Sequence, residues 1–170
     1  MRRFRSSQKA LTLQARLTDA APPPEWNEQS QHPSRPVVGV TWYDAQSYCE
    51  WAGCQLPTEQ QCEFAARGTP ERIHPWGPEG QDPDEHRANF GMSVGEPTPV
   101  GMFPDGDPPE GVADMAGNVW EWTRSGYDKE TKVVRGASFD GVARYLRAAF
   151  RVWGGPGFRV GGIGFRCVRE

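Results

Sequence analysis

Glycine and proline interrupt this chain along its whole length. Its 170 residues include 20 Gly and 16 Pro, and neither residue type supports the interior of a long helix. Short helices, short strands and many turns are therefore expected. Seven Trp and eight Phe supply a large apolar area in few side chains, which favours a core built on aromatic residues.

Length and charge narrow the class of protein further. A chain of this length suits one domain with a single core, and its net charge of −3 offers no basic field to a nucleic acid. No run approaches the roughly 18 to 20 apolar residues that cross a bilayer, and the start lacks the continuous apolar stretch of a signal peptide. We expect no membrane span and no nucleic-acid partner, with synthesis in the cytoplasm and later export or surface display left open.

Local sequence signals predict three helices. Thr41 is a suitable N-cap for a helix that begins with Trp42. Thr58, with Gln61 three residues later, has the pattern of a capping box for a second helix. A further helix is predicted over residues 8–17, in the polar start of the chain.

Short strands are predicted at VVGV (residues 37–40), KVVRGASF (132–139) and IGFRCVRE (163–170), because β-branched and apolar residues recur there between turn residues. The pattern divides the chain into two parts. Residues 1–35 form an irregular N-terminal segment, and residues 36–170 form the domain itself.

Four cysteines occur, at Cys49, Cys54, Cys62 and Cys167. Their spacing matches no zinc motif, although their number would allow two disulfides. Partly buried free thiols are the favoured interpretation, because the first three fall in or beside the two predicted helices.

A series of motifs follows in a fixed order over residues 36–168. They are PVVGVTWYDAQSYCEWAG, LPTEQQCEFAARG, PWG, ANF, TPVG, VADMAGNVWEWT, VVRGASF and IGFRCV. Together they resemble the formylglycine-generating-enzyme (sulfatase-modifying-factor) domain. The resemblance implies an α+β fold of the C-type-lectin-like type, with two helices, small antiparallel sheets and much irregular loop.

Large rigid side chains are needed to fill a core with so little regular structure. The residues expected in this role are Trp42, Trp51, Trp76, Trp120 and Trp122. The alternative is that these tryptophans line a ligand pocket.

Enzymes of this family oxidise a substrate cysteine with copper held by two cysteines that follow the RGAS motif. Here the corresponding segment, FDGVARYLRAAFRV, contains no cysteine. Copper(I) requires soft thiolate ligands, so neither bound copper nor oxidase activity is expected. Related sulfoxide synthases add a histidine-rich iron domain, whereas the histidines of this chain are scattered. The chain is therefore predicted not to be an enzyme.

The resemblance also implies a structural calcium site. The family's ligand turn corresponds to DMAGNVWE, which places the side chains of Asp114 and Glu121 and the carbonyls of Gly117 and Val119 around the ion. Hard oxygen ligands of this kind suit calcium. The alternative is that the two carboxylates only cap backbone amides. A second family site would begin at Asn89 and Phe90, but its partner loop is shortened here, so no second site is predicted.

Residues 140–162 depart from the usual family pattern, in which polar residues such as Asn occupy many positions. The departing positions are Asp140, Gly141, Val142, Tyr145, Phe150, Val152, Gly154, Gly155, Gly157, Phe158, Val160, Gly161 and Gly162. Leu146 and Trp153, in the intervening frame, are expected in the core.

This region resembles the variable region of diversity-generating-retroelement variable proteins, which use the same fold. In those proteins, adenines of asparagine codons are randomised, so that Asp, Gly, Val, Tyr or Phe can appear but Lys, Gln, Glu, Met or Trp cannot. Every departing position obeys this restriction. The alternative is a glycine-rich loop in a catalytically dead accessory relative.

The resemblance therefore implies a display protein that binds a protein or other surface ligand through these thirteen positions, with aromatic residues and glycine mixed as in antibody paratopes. The sequence leaves the identity of the ligand and the oligomeric state open.

Overall fold

The computed structural model describes residues 22–77 and 82–169. The helix predicted over residues 8–17 lies outside these residues. The helices are α1 (Trp26–Gln29), α2 (Trp42–Trp51) and α3 (Glu59–Arg67), and the strands are β1 (Trp120–Gly126), β2 (Lys132–Arg135), β3 (Arg151–Gly154) and β4 (Ile163–Phe165).

Both capped helices form as predicted. The Thr41 side chain accepts a hydrogen bond from the Asp44 backbone N–H, and the Asp44 carboxylate accepts one from the Thr41 N–H. Thr58 and Gln61 make the same reciprocal pair at the start of α3. These bonds satisfy backbone donors that the first helical turn leaves free. On α3, Cys62 is buried whereas Phe64 is exposed.

The strands form one sheet in the order β3-β2-β1-β4. β2 pairs antiparallel with β1 and with β3, but β4 pairs parallel to β1. The α+β class is therefore confirmed, whereas the expectation of antiparallel sheets fails for one strand pair, β1 with β4. The predicted strand at residues 37–40 does not form, because the Gly39 N–H bonds to the carbonyls of Val160 and Ile163 outside any ladder.

The helices α2 and α3 cover opposite faces of the sheet. Val134 and Arg135 are consecutive in β2, so their side chains point to opposite faces. Val134 packs in the cluster that contains Tyr48 of α2. Arg135 pairs with Glu63 of α3, at 2.8 Å between Nη2 and Oε2.

The tryptophans differ widely in burial. Trp122 is completely buried and donates its indole N–H to the Val40 carbonyl at 3.0 Å. Trp42, Trp76 and Trp120 are half-buried. Two expectations are wrong, because Trp51 is exposed and Trp153 is 57% exposed. Trp153 alternates with Val152, which faces the core, and therefore points to the other side of β3.

The four cysteines are free thiols, in agreement with the favoured interpretation. Burial raises the pKa of Cys62 to about 12, so this thiol stays protonated near neutral pH. The Cys49 and Cys167 sulfur atoms lie 2.6 Å apart. Their hydrogen bond, together with burial, raises the pKa of Cys49. Within the described residues, the helices are too short and too polar to cross a bilayer.

Candidate functional site

Residues 140–162, which contain the departing positions, are called the departing region. Three aromatic rings meet near its start. Tyr145 and Phe150 have ring centroids 4.7 Å apart, and both rings contact Trp120, with centroid separations of 6.0 and 6.3 Å. All three side chains are half-buried. The guanidinium of Arg144 lies over the Tyr145 ring, 5.0 Å from its centroid. We call Trp120, Tyr145 and Phe150 the aromatic cluster.

A short 3-10 turn fixes the position of this cluster. The turn comprises Ala143–Leu146, and the Leu146 side chain is 1% exposed within a buried cluster of alanines. The Tyr145 N–H bonds to the Val142 carbonyl at 2.9 Å. Because Leu146 points inward, its neighbour Tyr145 is held at the protein surface. The expectation that Leu146 belongs to the core is confirmed.

Further departing positions adjoin the aromatic cluster. The Trp120 N–H donates to the Gly162 carbonyl at 2.8 Å. A side chain at position 162 would come within 3.8 Å of the Asp140 carboxylate. Asp140 and Val142 are both exposed. Residues far apart in the sequence, from 120 to 162, therefore share one continuous region of the surface.

A second group of departing positions forms the turn after β3. Phe158 is 59% exposed and its N–H bonds to the Gly155 carbonyl at 2.9 Å. Val160, Gly157 and Gly161 are also exposed. Arg159, from the frame, anchors this turn by pairing with Asp44 of α2 at 3.0 Å.

Three predicted positions lie away from the surface. Gly141 and Gly154 are buried, and Val152 packs against the core beside Trp122. A Cβ atom at position 154 would lie only 2.6 Å from the Trp122 ring. Glycine at 154 is therefore explained by close packing rather than by contact with a ligand.

Two of the four residues predicted to bind calcium, Glu121 and Asp114, contact an arginine instead. Nε and Nη2 of Arg166 bind both carboxylate oxygens of Glu121, and Nη2 also reaches the Asp114 carbonyl at 3.1 Å. Burial alone would lower the pKa of Arg166, but the charge of Glu121 and its hydrogen bonds hold that pKa above the ordinary value. Burial raises the pKa of Asp114. Its carboxylate accepts from the Gly101 N–H and the Asn118 amide.

This donor set does not fit calcium while Arg166 holds Glu121, because a ligand carboxylate needs a free oxygen. Within residues 22–77 and 82–169, no three His, Cys, Asp or Glu side chains are placed to share a metal. The region of the second family site, which is not predicted to bind calcium, contains one unused acceptor. Asn89 is buried and donates its amide to the Glu96 carbonyl, while its Oδ1 atom has no hydrogen-bond donor among the described residues.

Calcium binding remains a prediction from the family resemblance. If the folded chain binds the ion, EGTA should lower the melting temperature and added calcium should restore it. At a calcium concentration of about 100 Kd, the folded state would gain about 2.7 kcal/mol. Differential scanning calorimetry checks this, with magnesium as the control ion. Identical melts in EGTA and in calcium would remove the predicted site.

Sequence reasoning missed the roles of Arg166 and of Trp120. Arg166 lies in the IGFRCV motif, but the motif does not indicate that its guanidinium would be buried against Glu121. Trp120 was expected only as a core filler. Its alternation with the buried Glu121 shows that it lies on the other sheet face, but only the fold brings Tyr145 and Phe150 beside it.

Comparison with known proteins identifies one family of domains that this chain resembles. A family model for the sulfatase-modifying factor enzyme 1-like domain matches residues 10–170. Inactive C-alpha-formylglycine-generating enzyme 2 of Bos taurus is 39% identical over 152 residues, which cover 78% of this chain and 50% of that protein. Hercynine oxygenase of Mycobacterium tuberculosis is 35% identical over 144 residues, which cover 71% of this chain and 33% of that protein.

The chain thus spans half of the bovine relative and a third of the mycobacterial one. Among solved structures, Treponema denticola variable protein 1 superposes with a TM-score of 0.65 at 22% identity, covering 80% of this chain and 71% of the other. At this identity the likeness concerns the fold alone. The fold is therefore the α+β, C-type-lectin-like fold of the formylglycine-generating-enzyme type.

Proposed function

Because this chain belongs to the family of sulfatase-modifying factor enzyme 1-like domains, we propose that it uses the family fold as a non-catalytic scaffold for ligand binding. The proposed role is that of a variable protein of a diversity-generating retroelement. Its ligand is a protein or other surface ligand, bound without covalent chemistry by the exposed departing positions.

The aromatic cluster is the observation that supports this proposal best. Two of its three rings, those of Tyr145 and Phe150, come from departing positions, whereas Trp120 belongs to a family motif. Aromatic side chains are effective anchors in interfaces because they offer large contact area with few rotatable bonds. The buried Leu146 fixes the turn beneath them, so Tyr145 and Phe150 can change while the scaffold stays constant.

Copper oxidase chemistry is the competing function for this family. The segment of residues 139–152 has no cysteine, and the thiols of Cys49 and Cys167 lie instead between α2 and the C-terminal strand. Cys62 is buried with a raised pKa, which disfavours the thiolate that copper needs. The bovine relative is named an inactive enzyme, which supports a non-catalytic role and also suits an accessory domain without a ligand.

The pair of substitutions Tyr145→Asn and Phe150→Asn is expected to leave the domain folded. Surface changes usually alter the free energy of unfolding by no more than about 0.5 kcal/mol each. Leu146→Ala, in the same turn, is the control and should cost at least about 2 kcal/mol, because it leaves a cavity. Urea denaturation monitored by tryptophan fluorescence measures both. A double variant as unstable as the control would mean that these rings belong to the hydrophobic core and not to a binding surface.

The DNA around the gene tests the retroelement assignment directly. A near-copy of the codons for residues 135–168, with adenines at the departing positions and a reverse transcriptase gene nearby, is the expected finding. A complete neighbouring sequence without such a copy would contradict the assignment and leave the accessory-domain alternative.

A further inference from the structure

A groove of about 300 Å³ lies beside the departing region. It runs between the short helix α1 and the loop at residues 95–97. Its lining includes Glu25, Glu28, Arg35, Glu96, Phe139 and Gly161. A cavity of this size is at the lower end of the range for sites that bind small ligands or single side chains.

Two side chains hold the walls of the groove in place. Arg35 makes a bidentate ion pair with Glu96, with N–O distances of 2.7 and 2.8 Å. The Gln29 side chain donates to the Pro24 and Val38 carbonyls and accepts from the Val38 N–H. The two walls are thereby tied to the rest of the domain, and a ligand would meet a site that is already formed.

The charge on the groove is negative. Arg35 and Glu96 neutralise each other, and the bond to Arg35 lowers the pKa of Glu96. Glu25 and Glu28 are exposed and have no ion-pair partner within residues 22–77 and 82–169. The charge of Glu28 also contributes to the raised pKa of Arg35, which places this carboxylate close to the groove's ion pair. His32 also lines the groove, but among the residues that the structure describes, the carboxylates of Glu25 and Glu28 leave an excess of negative charge there.

The inner surface of the groove is apolar. Phe139, Val38, Pro36 and Pro97 are all half-buried there. The groove thus combines an apolar lining with an acidic rim. A matching ligand needs an apolar stem and a positively charged end, and lysine and arginine side chains have this form.

We propose that this groove binds a lysine or arginine side chain presented by a protein partner. The alkyl stem would lie along Phe139 and the prolines, and the cation would face Glu25 and Glu28. The groove shares Gly161 with the departing positions, so a partner seated on the exposed turn could place a basic side chain in it. The inference stands apart from the proposed function, because none of its charged residues belongs to the departing region.

Fluorescence anisotropy with a labelled peptide of alternating glycine and lysine tests the proposal on the full chain. The lysine peptide should bind more tightly than a matched peptide with norleucine, which keeps the stem but lacks the charge. The double variant Glu25→Gln, Glu28→Gln should weaken binding about two- to fivefold for each carboxylate removed. Raising the salt from about 0.1 M to about 1 M should also weaken it, because exposed charges are screened.

The double variant Glu85→Gln, Glu130→Gln is the matched control, since both residues are exposed and lie outside the groove. It changes the net charge equally and should bind the lysine peptide like the wild type. Equal weakening in both double variants would reduce the effect to net charge and overturn the proposal. Equal affinity for the lysine and norleucine peptides would do the same. A free alkylamine that competes as well as the peptide would overturn the choice of a protein partner.

These outcomes are separate from those of the proposed function. If the lysine peptide did not bind, the proposed role of the aromatic cluster and the outcome of the DNA test would be unaffected. Absence of a template repeat beside the gene would leave the groove's affinity for a basic side chain unchanged.

Discussion

Replacing Trp122 with alanine is expected to lower the free energy of unfolding by about 3 to 5 kcal/mol. The side chain is fully buried between α2 and the sheet, in the cluster with Val40 and Tyr48. Gly154 lies directly against its ring and has no side chain to fill the space left behind. The Val40 carbonyl would also lose the indole N–H as a donor. Urea denaturation at equilibrium measures the change.

Trp153→Ala is the matched control, because the residue removed is also a tryptophan in the same sheet. Trp153 is 57% exposed and contacts the Tyr127 ring, with centroids 6.5 Å apart. Its loss should therefore cost no more than about 1 kcal/mol. Comparable losses for both variants would contradict the arrangement in which α2 covers one sheet face and Trp153 lies on the other.

Arg166→Met should destabilise the domain by a similar amount, about 3 to 5 kcal/mol. Arg166 neutralises Glu121, and both side chains are largely shielded from water. Without the guanidinium, a carboxylate would remain in the interior with no opposite charge beside it. The Asp114 and Ala113 carbonyls would lose a donor as well. Thermal and urea unfolding at neutral pH measure the effect.

The double variant Glu121→Gln, Arg166→Met separates the buried charge from the shape of the side chains. It removes both charges, so it should recover a substantial part of the stability lost in the single variant. A double variant as unstable as Arg166→Met would show that packing of the arginine, not its charge, is what matters. Calcium added to Arg166→Met provides a second measurement, because Glu121 would then have free oxygens for the ion.

Helix starts could be predicted from sequence because their chemistry is local. Thr41 and Thr58 each lie three residues before the side chain that completes the capping box, and this spacing alone defines the hydrogen bonds. The family motifs supplied the fold class for a related reason, since each motif requires a particular local backbone. A place in the frame was a weaker guide, since it assigned Leu146 to the core correctly and Trp153 wrongly.

Strand pairing could not be predicted in the same way. The composition of residues 163–165 indicates a strand, but nothing in it specifies parallel pairing with β1. That pairing depends on contacts between segments more than 40 residues apart. Residues 37–40 have the composition of a strand, yet Gly39 approaches the chain at Val160 and Ile163 instead of joining a ladder.

The positions on β3 show what side-chain alternation can and cannot reveal. Alternation separates Val152 and Gly154 from Arg151 and Trp153, but it does not tell which set a helix covers. The codon restriction predicts Val152 and Gly154 as surface positions, whereas Trp122 packs against both. The groove was also beyond sequence analysis, because residues near 28, 96, 139 and 161 come together only in the folded chain.

The contact between the Cys49 and Cys167 thiols gives this fold two possible covalent forms. In a reducing compartment the two sulfurs stay unbonded, and the raised pKa of Cys49 slows its conversion to the reactive thiolate. Oxidation would join positions 118 residues apart into a closed ring. A cross-link of this kind restricts the unfolded chain and typically adds about 2 to 4 kcal/mol. The redox potential of the surroundings would then affect the kinetic stability of the domain, that is, its rate of unfolding.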